Sequence, residues 1–311
     1  MSTKNLLFAS VLLWSTSALA APRGVVIAPA ELSSAHRRQI RRQVAQAHRS
    51  APAAFKALTA LRARLPQIAA RQRGRHVTVL LPLRSLGPDA LMPMLAELAV
   101  AGGPRGDLSD RAWRGWRVSL LEAVGSLRDV RARAVLEAIL AGKSRDPGVY
   151  RAAATALARL GDDRAVSTLL RIARQDPATR LAVVPALGEC RRARVARELA
   201  AILRMAGDDG ELTVRAIAAL GQVGNAWAWE TPAVSKSGEG DDTRRAAMDA
   251  LLAWYPGSHP IAGEAAFKAL MLIGHPQTRA AITTARGKAS GARRRALSKL
   301  GDRLRRTTHR Y

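Results

Sequence analysis

Few side chains in this chain are spaced for chemistry. Its histidines, His36, His48, His76, His259, His275 and His309, are scattered, and none lies at i, i+4 from a second suitable ligand. There is no H-E-x-x-H, G-x-S-x-G, Walker loop, dinucleotide fingerprint or cysteine pair. Cys190 is the only cysteine, so no intramolecular disulfide can form. Arg191 and Arg192 follow it and could lower its pKa, but a small residue packed at a junction is the preferred reading. The acid pairs Asp162-Asp163 and Asp208-Asp209 could hold calcium. No loop around them offers the five or six oxygens calcium needs, so helix capping is favoured. The expectation is no cofactor, no metal and no catalysis. A catalytic site made by the repeat array and the loop carrying Trp227 and Trp229 is the least supported alternative.

Two residue sets suggest binding. Trp227 and Trp229 sit in the irregular stretch 225–241, where exposed rings would anchor a partner and buried rings would fill a packing gap. Gap filling is the favoured reading. The second set is cationic. The chain carries 50 Lys and Arg against 24 Asp and Glu, a formal charge of +26. Residues 23–76 hold twelve Lys/Arg against Glu31 alone, and residues 279–311 hold eleven against Asp302 alone, while residues 77–278 are nearly balanced. Arg37, Arg38, Arg41 and Arg42 at one end, and Arg293, Arg294, Arg295, Lys299, Arg303 and Arg306 at the other, are therefore the polyanion-binding candidates.

The elements that must position these residues are helices. Aromatics are 4% of the chain, Ala, Leu and Arg abound, and β-branched runs such as Val77-Thr78-Val79 are few and short. Residues 1–20 read as an export leader: Lys4, an apolar run from Leu6 to Trp14, then Ala18-Leu19-Ala20 with cleavage after Ala20. That run is too short to span a bilayer core of roughly 30 Å, and no later stretch is long and apolar enough to cross a membrane. The mature chain is expected outside the cytoplasm, periplasmic or secreted, with an extended, poorly ordered start at 22–29. A basic helical segment (21–76), a repeat array (77–288) and a basic C-terminal helix (289–311) follow. Within the array a phrase recurs: ALARLGDD, PALGECRR, AALGQVGN. Its glycines, Gly161, Gly188 and Gly221, stand 27 and 33 residues apart, the period of stacked helical hairpins. Gly125 and Gly274 close similar phrases, and all five are expected at repeat turns. In the tail, Leu297, Leu300 and Leu304 would cap the last repeat while the arginines stay in solvent.

The units VYRAAATALARLGDDRAVSTLLRIAR and LTVRAIAALGQVGN resemble HEAT repeats of the short type also found in phycobilisome lyases. The likeness is good over 147–224, fair over 110–146 and loose over 243–287. It implies an all-α, right-handed α-solenoid of stacked hairpins, with N-terminal basic helices and a C-terminal basic helical cap, whose concave face binds a protein. Enzymes of related build do not transfer. Deoxyhypusine hydroxylases use His-Glu pairs that this chain lacks, and export argues against bilin lyases and DNA glycosylases. The expected function is a non-catalytic protein scaffold of the bacterial envelope, its partner unidentified. The alternative is binding to anionic lipid, lipopolysaccharide or nucleic acid through the Arg-rich ends.

Overall fold

A computed structural model of the chain describes residues 23–28, 31–74, 77–142, 146–207, 209–255 and 260–308. The leader with Ala20, as well as His76, Asp208, His259 and His309, lies outside the described residues. Among those described, every regular element is a helix and none is long and apolar enough to cross a membrane.

The N-terminal helices are α1 (Ser34–Ser50), α2 (Pro52–Ala63) and α3 (Leu65–Arg71). Ser33 caps α1 by accepting from the His36 N–H, and Pro66 sits in the first turn of α3, where a missing N–H costs nothing. Helical hairpins follow: α4 (Leu80–Ser85) with α5 (Leu91–Ala99), α6 (Asp110–Leu127) with α7 (Arg133–Ala141), α8 (Pro147–Leu160) with α9 (Asp163–Gln175), and α10 (Pro177–Leu187) with α11 (Ala193–Met205). After α12 (Gly210–Val223) the pattern is interrupted by two single turns, α13 (Ala226–Trp229) and α14 (Pro232–Ser235), before its partner α15 (Gly240–Trp254). One more hairpin, α16 (Pro260–Ile273) and α17 (Thr278–Gly287), precedes the terminal α18 (Gly291–Thr308).

The first helices of successive hairpins stack: α6 on α8, α8 on α10, α10 on α12 and α12 on α16. This is an all-α solenoid. The stacking rests on small residues. A Cβ on Gly125 would stand 2.7 Å from Ala156 Cα, one on Gly221 would stand 2.9 Å from Ala269 Cα, and one on Gly188 would stand 2.9 Å from the Ala219 carbonyl oxygen. Of these three, only Gly188 sits in a turn, the one between α10 and α11. Gly125 and Gly221 lie inside helices, and Gly188 keeps a right-handed backbone. Among the five repeat-phrase glycines, Gly161 (φ +72°) and Gly274 (φ +53°) take the left-handed conformation. After α6 that conformation falls to Arg128 (φ +53°), whose side chain donates to the Arg159 carbonyl at the end of α8.

A single apolar core runs from Ile27 to Leu304. The start of the chain belongs to it. Val25 donates to the Glu97 carbonyl, and Val26 and Ile27 to that of Leu98, so the segment expected to be loose is pinned to the end of α5. Ion pairing adds to this. Arg62 on α2 pairs with Glu97 on α5, which also accepts from the indole N–H of Trp116 on α6, while Arg62 donates to the Gly103 and Pro104 carbonyls. At the far end Leu297, Leu300 and Leu304 are buried, so α18 caps the array.

The contact geometry makes a test. Gly221→Val and Gly125→Val should each lower unfolding free energy by about 1–3 kcal/mol or more, since helix backbone must move. Gly161→Ala, which only strains a left-handed turn, should cost about 1–2 kcal/mol. Urea unfolding of the three variants ranks them.

Candidate binding surfaces

The arginines divide into those the fold engages and those it leaves free. Many cap helix ends. Arg111 donates to the Ala69, Gln72 and Gly74 carbonyls, Arg180 to Ala173, and Arg244 to Ile273 and Gly274. These carbonyls have no partner inside their own helices and carry the negative end of the dipole. Acids do the reverse at N-termini. Asp146, Asp162, Asp176 and Asp209 each accept backbone N–H bonds, which supports capping for the acid pairs. Asp162 also pairs with Arg133, and Asp163 with Arg192 at 3.0 Å, so cations already occupy the place a calcium ion would need. Burial alone would raise the Asp162 pKa, but the bonds from Arg133 and from backbone N–H groups hold it below the usual carboxylate range.

The ends are less free than their composition implied. Arg37 donates to the Leu32 carbonyl, and Arg293 to the Leu252 and Ala253 carbonyls at the end of α15. Arg303 holds Glu264 by two bonds, at 2.5 and 3.2 Å, and lies 3.6 Å from the Phe267 ring centre. These three side chains are engaged by the fold, although Arg293 and Arg303 remain exposed to solvent. Arg38, Arg41, Arg42, Arg294, Arg295, Lys299 and Arg306 are exposed, with no ion partner among the described residues.

The tryptophans separate. Trp229 is 7% exposed, donates its indole N–H to the Val223 carbonyl at 2.9 Å and packs on Gly240. Trp227 is 75% exposed. Gap filling thus holds for Trp229 and fails for Trp227. Both rings lie in one turn of α13, and burying one directs the other outward.

Two recesses were not legible in the sequence. One, of about 620 Å³, lies between α6 and α8 and is lined by Val77, Gly115, Val118, Ala152, Arg151 and Glu122, among others. Burial raises the Glu122 pKa above the usual carboxylate range, and Arg159 only partly opposes this. The other, of about 630 Å³, opens between α7 and α9, with Leu140, Tyr150, Ile172 and Arg171 in its wall. Both volumes lie in the range of ligand pockets.

The remaining chemical candidates are structural. Cys190 is buried, and burial pushes its thiol up to about 12, overriding Arg191 and Arg192. His275 is 4% exposed, accepts from the Gln277 N–H at Nδ1 and sets Nε2 3.2 Å from Asp241. It does more than end a helix, because it ties the α16–α17 turn to α15. Among the described residues no three His, Cys, Asp or Glu side chains are grouped to hold a metal ion.

Residues 115–188 and 134–221 match the family model for HEAT repeats. This part of the chain is a run of HEAT repeats. The matched HEAT segments span α6 to α12, while α15 to α17 continue the stack beyond them. No curated protein matches the chain. Among solved structures, human deoxyhypusine hydroxylase in complex with glycerol is 19% identical, over 72% of this chain and 87% of that one. Its TM-score of 0.30 is too low to speak for shape or chemistry.

Two outcomes follow. Trp229→Ala should cost about 3–5 kcal/mol of stability and Trp227→Ala almost nothing, as read by thermal unfolding. Glu122→Gln should stabilise the protein at neutral pH, because a carboxyl whose folded pKa is raised favours folding only below its unfolded value. That gain should vanish in acid, where both side chains are neutral.

Proposed function

We propose that this protein is a non-catalytic interaction scaffold of the bacterial envelope that binds a protein partner on a face of its HEAT array. HEAT repeats commonly serve as protein-interaction scaffolds. The observation that carries the reading is Trp227. A large ring held 75% in solvent by a buried neighbour has no packing role, and aromatic anchors of this kind dominate binding energy at protein interfaces. The leader pattern at residues 1–20 supports export, and so a partner in the periplasm or outside the cell.

A second reading rests on the free cations. Arg38, Arg41 and Arg42 on α1, and Arg294, Arg295, Lys299 and Arg306 on α18, suit anionic lipid, lipopolysaccharide or nucleic acid. Deleting the tail would uncap the core at Leu297, Leu300 and Leu304, so charge removal is the cleaner probe.

An affinity pull-down of residues 21–311 from envelope extract, at low and high salt, tests the two. A scaffold retains one protein at both salts and loses it on Trp227→Ala. Retention of many anionic species, lost at high salt and on combined Arg294→Gln, Arg295→Gln, Lys299→Gln and Arg306→Gln, would support the second reading instead.

A further inference from the structure

The mid-array charge balance does not hold on every face. The acids on α7, α9 and α11 are Glu137, Asp163 and Glu198. Each is taken by another arginine: Glu137 by Arg164 at 2.8 Å, Asp163 by Arg192 at 3.0 Å and Glu198 by Arg174 at 2.7 Å. Of the other acids nearby, Asp162 and Asp176 cap helix starts, Glu189 pairs with Arg159 and Arg191, and Glu239 pairs with Arg192. Arg194, Arg197 and Arg204 on α11 are exposed with no ion partner among the described residues, and Arg171 on α9 meets only the Gln175 amide. Spacings of three and seven residues put the three α11 arginines on one side of that helix, in line with Met205, which is 68% exposed. Across α9 from α11 lies the α7–α9 recess, with apolar Leu140, Ala141 and Ile172 in its wall beside Arg171 and the carboxylates Glu137, held by Arg164, and Asp176, which caps α10.

We propose that the face formed by α7, α9 and α11 docks an acidic, amphipathic segment of a protein partner, its apolar side chains entering the α7–α9 recess and its carboxylates meeting Arg171, Arg194, Arg197 and Arg204. This rests on the scaffold reading and names the chemistry of the partner. Unpaired cations call for an anionic ligand. The apolar part of the recess wall at Leu140, Ala141 and Ile172 and the exposed Met205 select a peptide, because a phosphate backbone or a sugar chain has no apolar side chain to place against them.

The test uses the full mature chain and a fluorescein-labelled peptide with glutamates on one helical face and leucines on the other. Heparin and vesicles containing phosphatidylglycerol serve as competing anions. The triple variant Arg194→Gln, Arg197→Gln, Arg204→Gln changes only exposed side chains and should keep its circular dichroism spectrum. It should bind the peptide about tenfold more weakly, consistent with losing several exposed charge contacts. Thr168→Trp, which fills the recess wall, should weaken peptide binding and leave heparin binding unchanged. Undiminished peptide affinity in the triple variant would overturn the proposal. So would stripe-dependent binding of heparin or vesicles combined with indifference to Thr168→Trp, which would make the face a polyanion surface. If the native partner is lost on Trp227→Ala but kept by the triple variant, the scaffold reading stands and this docking face falls.

Discussion

The array depends on how closely its first helices approach one another. At Gly125 against Ala156, Gly188 against Ala219 and Gly221 against Ala269 there is no room for even a methyl group on the glycine. Small residues at a helix crossing allow near-contact of backbones, and the large aliphatic side chains beside them, such as Leu120, Leu157 and Leu220, then interdigitate with almost no exposure. Every larger feature inherits this spacing. It sets the spacing of the first layer and leaves α7, α9 and α11 in the second to be joined by longer reach, whereas α11 and α15 pack directly.

That reach is supplied by arginine. Between α7 and α9, and between α9 and α11, guanidinium–carboxylate pairs bridge neighbouring repeats, and a recess opens where α7 and α9 part. The planar five-donor head suits this work. It binds carboxylates by a fork and caps helix carbonyls without losing its charge. Exposed pairs of this kind contribute little stability singly, about 0.2–1 kcal/mol each, so they tune the second layer more than they hold the fold. A chain with an excess of arginine therefore has part of that excess built into its frame, and the cations that remain are the ones that can meet another molecule.

The helices, the repeat phrase and the capping leucines of α18 were legible in the sequence, because apolar periodicity and cap residues act locally. The roles of the glycines were only half legible. Gly161, Gly188 and Gly274 sit in turns, as a Leu-Gly phrase implies, while Gly125 and Gly221 lie inside helices, and the close contacts of Gly125, Gly188 and Gly221 come from helices distant in the chain. Partition of the arginines was hidden for the same reason. Counting charges along the chain pointed to the ends and treated the middle as neutral, yet Arg293 and Arg303 are bound into the fold, while Arg194, Arg197 and Arg204 have no ion partner among the described residues. The two tryptophans share one motif and take opposite fates, which is decided by a single-turn helix that no periodicity announces. The raised Glu122 carboxyl and the two recesses depend on which helices become neighbours.

The central claim is that contact fixes the first layer while ion pairs join α7, α9 and α11 in the second. Spin-label distances measure this directly, because Cys190 is buried and unreactive, leaving only introduced cysteines to label. One pair would span α8 and α10, at Thr155 and Ala182, and the other α9 and α11, at Ser167 and Ala201. Salt at about 1 M shortens the Debye length to about 3 Å and weakens exposed ion pairs. The account predicts that the α9–α11 distance distribution then broadens while the α8–α10 distribution stays narrow. Equal behaviour of the two pairs, or broadening of α8–α10 alone, would contradict it.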